Sequence, residues 1–143
     1  MEQDFITIAE QHLVSFEKTV QEVKKKHKLV KSNSKVALIF IDTDAVATCL
    51  WHEVLLGNKA PPLVDKLSRQ QPYDFYLIQD PEVPYEPDPQ RFIPDINERR
   101  NFHQKLLVAM KERDLTNFVI LDGTLEQRKQ KAISEIDKRI NLF

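Results

Sequence analysis

Residues 36–41, Val-Ala-Leu-Ile-Phe-Ile, are apolar without alternation and rich in β-branched and aromatic types. A strand with one wet face alternates apolar and polar positions, whereas a strand covered on both faces does not. The run therefore predicts a strand inside a parallel sheet flanked by helices. Directly after it stand Asp42, Thr43 and Asp44, two carboxylates with a hydroxyl between them, and a helical pattern follows at once. Open α/β sheets bind ligands just beyond the carboxyl ends of their strands. These three residues are the first candidates for chemistry.

Two further segments read the same way. Residues 73–79, Tyr-Asp-Phe-Tyr-Leu-Ile-Gln, predict a second buried strand ending at Asp80, and residues 117–121 predict a third ending at Asp122-Gly123-Thr124. Helices fill the intervals. Over 3–29, Ile6, Ala9, Leu13, Phe16, Val20 and Val23 recur at three- and four-residue steps. Residues 45–56 form an apolar helix with Gly57 past its end, and Pro61-Pro62 opens a short one through Arg69. Asp95 with Glu98 starts a helix through about Arg113, and Thr124 is the N-cap expected for a last helix through about Ile140. Strands alternating with helices predict an α/β fold with three parallel strands and about five helices. The 143 residues read as a single domain.

Glycine is scarce. Gly57 and Gly123 are the only two, where average usage gives about ten. Neither stands in a G-x-x-x-x-G-K-[ST] or G-x-G-x-x-G loop, so the sequence carries no glycine-rich phosphate cradle. With 21 basic and 22 acidic residues the net charge is −1, which gives no field favouring nucleic acid or an anionic membrane. The run Lys24-Lys25-Lys26-His27-Lys28 reads as a solvated helix end that suits the helix dipole. No apolar run approaches the ~20 residues of a membrane helix. A single cysteine, Cys49, fits a reducing cytoplasm. His12, His27, His52 and His103 lack metal-ligand spacing, so a zinc site is not expected. Residues 81–94 hold five prolines in fourteen positions, which excludes a helix interior or central strand and predicts a lid-like loop.

Taken in order, several stretches resemble the ribosylnicotinamide kinase domain of NadR-type NAD-biosynthesis proteins, a P-loop kinase acting on nicotinamide riboside. They are Ile8-Ala-Glu-Gln11, Phe40-Ile-Asp-Thr-Asp44, Thr48 to Gly57, Tyr73-Asp74, Asp88 with Arg91, Arg99 to Phe102, and Asp122-Gly123-Thr124 with Arg128. The resemblance implies a three-layer P-loop-kinase-like parallel sheet, truncated at the N-terminus. The family's first strand, phosphate loop and following helix would precede the segment that Glu2-Gln3-Asp4-Phe5 resembles. A second departure is Asp88-Pro89-Gln90-Arg91, where the family shows Asp-Gly-x-Arg.

The resemblance also implies roles. Asp42 would orient or deprotonate the riboside hydroxyl, or hold hydrated Mg²⁺. Asp44 would bind the ribose, unless it only caps the next helix. Arg91 would close over the phosphates, and Arg99 would assist at the nucleotide. Gln11 and Trp51 would line the nucleoside, and Asp122, Gly123 and Thr124 would pack against adenine. ATP, Mg²⁺ and nicotinamide riboside are the implied ligands, with a homo-oligomer or the missing N-terminal portion as possible partners. Nothing implies direct nucleic-acid binding.

Three readings stand side by side. The first is part of a nicotinamide riboside kinase, inactive alone. The second is a non-catalytic binding or regulatory module on the same fold. The third takes Asp42-x-Asp44 as the metal pair of a nucleic-acid-processing domain, which the charge balance disfavours. The family's central strand would lie between the strand at 36–41 and that at 75–79. Its loss predicts that these two do not pair directly.

Overall fold

The apolar spacing near the N-terminus produces the helix it predicts. In a computed structural model, which describes residues 1–29, 36–70, 73–84 and 93–141, helix α1 runs over Glu2–Leu29. The chain divides into two compact units, Met1–Gln71 and Pro72–Leu142.

In the first unit α1 is joined by α2 (Ala45–Leu56) and α3 (Pro62–Arg69). Ala9, Cys49 and Val64 form the core where the helices meet, with Ile6, Ala60 and Leu67 packed against it. Two of the three core residues are small, which allows close approach, and cysteine behaves here as a small hydrophobe. Phe5 sets its ring edge-on to His52, with centroids 5.0 Å apart. Burial on α1 is concentrated in its first turns, at Phe5 and Ala9, while Leu13 is 36% exposed. Helix α2 is bounded by its own caps. Asp44, in extended conformation, accepts the Ala47 N–H at 2.8 Å. Gly57, at φ 72°, donates its N–H to the Glu53 carbonyl at 3.0 Å. Pro62 occupies the first position of α3, where its missing N–H costs nothing.

Residues 36–44 are not a strand. They carry no regular secondary structure, and Leu38, Phe40 and Ile41 are 50, 72 and 38% exposed. This corrects the expectation of a buried central strand there and of a three-stranded sheet. An unalternating apolar run becomes a strand only where neighbours satisfy its backbone and two layers cover its side chains.

The second unit contains the sheet, which has two strands among the described residues, β1 (Tyr76–Gln79) and β2 (Phe118–Leu121). They are parallel, with Tyr76 opposite Phe118 and Gln79 opposite Leu121. Helix α4 (Ile96–Lys111) lies between the strands in sequence, and α5 (Leu125–Ile140) follows β2. Asp95 caps α4 by accepting the N–H groups of Asn97 and Glu98 at 2.8 and 3.0 Å. Among the described residues of this unit, Ile78, Leu121, Ala109, Met110 and His103 are buried. At the amino ends of the strands, Arg139 places its guanidinium 3.4 Å from the centre of the Phe75 ring. It also donates to Asn117 Oδ1 at 3.1 Å, and Asn117 in turn donates to the Asp74 carbonyl. The last turn of α5 is thus tied to the start of both strands. No described helix is long and apolar enough to cross a membrane.

Candidate functional site at the strand ends

In the first unit the two carboxylates singled out by sequence are engaged differently. Asp44 is the N-cap of α2, with its side chain on the Ala47 N–H and its carbonyl accepting from Thr48 Oγ1 at 2.9 Å. Asp42 is exposed. Between them Thr43 adopts φ 68°, a left-handed conformation that a β-branched residue seldom takes. Such an outlier costs on the order of 1–3 kcal/mol and marks a turn held by its surroundings. Gln11 is exposed on α1 and Trp51 is partly buried in α2. His52 is buried, with Nδ1 3.3 Å from the Asn58 carbonyl. That contact and the Phe5 ring engage it from two sides, while its Nε2 is buried without a hydrogen-bond partner among the described residues.

The second unit gathers its polar groups at the carboxyl ends of β1 and β2. After β1, Asp80 accepts the Glu82 N–H at 2.7 Å and so shapes the start of the proline-rich segment. Two consecutive arginines on α4 then hold that start. Arg99 Nη1 donates to the Val83 carbonyl at 2.7 Å. Arg100 grips Glu82 with two bonds, Nε to Oε1 at 2.5 Å and Nη2 to Oε2 at 3.0 Å. The Arg100 hydrogen bond holds the Glu82 carboxyl below its ordinary pKa and raises that of the guanidinium. Arg99 thus has a structural task at the loop's root. Arg91, expected on the same loop, lies outside the described residues.

After β2, the Asp122-Gly123-Thr124 turn is tight. Gly123 sits at φ 85°, and a Cβ there would lie 2.5 Å from Gln127 Oε1. That same oxygen accepts the Thr124 N–H at 2.8 Å, while Thr124 Oγ1 accepts the Gln127 N–H, completing a capping box. Asp122 accepts from Lys131 at 2.7 Å. This bond, and then one from its own backbone, hold the carboxyl below the usual range. Arg128, one turn into α5, donates from Nη1 to Gln79 Oε1 at 2.9 Å, joining α5 to the last residue of β1. Sequence reading placed Asp122, Gly123 and Thr124 in one turn, as found. It missed the parts played by Gln79, Glu82 and Lys131. Their one sequence signal is position: Gln79 and Glu82 flank the acid that ends a strand, and Lys131 lies two turns into the next helix.

Among the described residues no three of His, Cys, Asp and Glu cluster as metal ligands. Magnesium commonly keeps several waters and takes one or two carboxylates. An exposed Asp42 fits a water-mediated role of that kind, and Asp44, engaged as a cap, does not complete a two-carboxylate pair.

A family model described as AAA domain matches residues 2–128. No curated protein and no solved structure matches the chain.

Proposed function

This chain belongs to the AAA domain family, whose P-loop members generally use ATP and Mg²⁺, and from that premise we propose that it is part of a nicotinamide riboside kinase. In this reading the nucleoside is the phosphoryl acceptor and ATP the donor. The observation that carries it is the unequal use of the two carboxylates: Asp44 is consumed as the α2 cap, while Asp42 is left exposed. Asp42 then accepts a hydrogen bond from the riboside hydroxyl and takes its proton as the oxygen attacks the γ-phosphorus and ADP leaves. Asp42, through water, is the residue that would hold Mg²⁺, which when bound neutralises charge on the transferring phosphoryl group. Arg91 meets the charge that develops there. Gln11 and Trp51 serve the nucleoside, and Asp122, Gly123 and Thr124 the adenine. Arg99 assists by fixing the root of the loop that carries Arg91.

The sequence holds no glycine-rich phosphate loop, and positioning is nearly the whole of phosphoryl-transfer catalysis. Given Mg²⁺-ATP and nicotinamide riboside, these residues alone are therefore expected to give no nucleotide product by ³¹P NMR. Turnover at the ~1–100 s⁻¹ typical of kinases would overturn the assignment of the phosphate cradle to residues other than these.

A second reading, a non-catalytic nucleotide-binding module, is favoured by the structural commitments of Asp44 and Arg99. It is distinguished by Asp42→Asn. That change should abolish transfer in a chain supplied with a phosphate loop, whereas a module would bind its ligand unchanged.

A further inference from the structure

We propose that residues 36–41 are an association surface at which a second copy of this chain pairs, strand to strand and antiparallel. The inference does not rest on the nucleoside assigned to Asp42.

The run Val36-Ala-Leu-Ile-Phe-Ile41 holds no charge, proline or glycine, the composition of a segment that pairs readily with its like. Burial would stabilise it, yet the fold leaves much of it in water. Phe40 is 72% exposed, and Leu38 and Ile41 are exposed with it. The backbone is equally uncommitted. Among the described residues, 37–41 enter no strand ladder and no hydrogen-bonded turn, so their N–H and C=O groups are open to a partner. Extended, six residues span about 20 Å, an ordinary strand length. The far end of the run is fixed by the fold: Thr43 turns at φ 68°, and Asp44 caps α2. Pairing therefore stops at Asp42.

Charge at the two ends of the run identifies a second copy as the partner. In the sequence Lys35 precedes the run and Asp42 follows it. Two copies laid antiparallel set Val36 opposite Ile41, Ala37 opposite Phe40 and Leu38 opposite Ile39. The same register brings Lys35 of each copy beside Asp42 of the other. Unlike charges directly opposed stabilise a strand pair, and like charges destabilise it. A parallel pair in register would set Lys35 on Lys35 and Asp42 on Asp42. Sliding the antiparallel pair by one residue takes both ion pairs out of opposition. Both faces of the resulting ribbon are apolar, so further copies stack on it as concentration rises.

Sedimentation velocity from micromolar to millimolar protein, with hydrogen exchange read at residues 36–42 across the same series, tests the pairing. The expected result is a species larger than the monomer that grows with concentration while the amides of 37–41 become protected in step. Phe40→Lys should weaken association tenfold or more, and the side chain is exposed enough that the monomer keeps its fold. Lys35→Asp and Asp42→Lys should each weaken it likewise, and the two together should restore it. A monomer throughout the series, association that leaves 37–41 unprotected, or unchanged association in Phe40→Lys overturns the proposal. So does a double variant that associates no more strongly than either single one. Where a variant does not fold, protection in the wild type decides alone.

Discussion

Replacing Gly123 with alanine tests whether the turn that opens α5 is as tight as it stands, and Gly57 provides the control. Both glycines are left-handed, at φ 85° and 72°. An L-residue in that region costs roughly 1 kcal/mol or somewhat more. At Gly57 a new Cβ meets nothing within 4 Å, so this conformational cost is the whole effect. At Gly123 the Cβ would come to 2.5 Å from Gln127 Oε1. The glutamine side chain is flexible and swings away, but in doing so it gives up its bond to the Thr124 N–H. A hydrogen bond of this kind contributes about 1 kcal/mol. Gly123→Ala should therefore cost roughly 2 kcal/mol against about 1 for Gly57→Ala. Gln127→Ala should cost about 1 kcal/mol in the wild type and close to nothing once Gly123→Ala has already removed the bond. Urea denaturation of the wild type, Gly57→Ala, Gly123→Ala, Gln127→Ala and the Gly123→Ala/Gln127→Ala double variant, read as midpoint shifts at unchanged slope, closes the cycle and supplies the control. Equal costs at the two glycines, or additivity of Gly123→Ala and Gln127→Ala within about 0.5 kcal/mol, would refute the coupling of turn and capping box.

Three further outcomes can be checked by the same means. Thr43→Gly should raise stability by about 1 kcal/mol, because it relieves the φ of 68°; a loss would mean that the threonine side chain has a role of its own. Asp44→Ala should cost about 1 kcal/mol through the lost α2 cap, whereas Asp42→Ala should stay within about 0.5 kcal/mol. The folded pKa values of Glu82 and Asp122 lie below their ordinary 4.5 and 3.8. Stability from these groups is therefore present above those values and lost as pH falls through the lowered ones. Glu82→Gln should flatten the acid limb of the stability profile below about pH 4.5 and leave its slope near pH 7 unchanged; an unaltered acid limb would show that the Arg100 pair contributes nothing.

The helices were legible because their signals are local. The capping box of Thr124 and Gln127 spans four residues, Asp95 and its two acceptor bonds as many, and Gly57 and Pro62 mark boundaries by backbone preference alone. The strands at 76–79 and 118–121 were found, but the most apolar run of all, 36–41, was not one. Apolarity states what a segment would gain from burial, and whether neighbours exist to bury it is decided elsewhere in the chain. The carboxylates show the same limit. Spacing brought Asp42 and Asp44 to notice, and only the backbone at the first turn of α2 shows that one of them is already engaged. Arg99 finds Val83 sixteen residues away and Arg128 finds Gln79 forty-nine away. No periodicity encodes such pairings.

The central claim is that Asp42, freed from capping, meets the acceptor nucleoside. Calorimetric titration of the protein with nicotinamide riboside, in wild type, Asp42→Asn and Asp44→Asn, tests it most directly. The expected result is saturable binding to wild type that weakens tenfold or more in Asp42→Asn. Asp44→Asn should change it little, since asparagine caps a helix about as well as aspartate. Absence of binding to the wild type, or equal affinity in Asp42→Asn, would contradict the account.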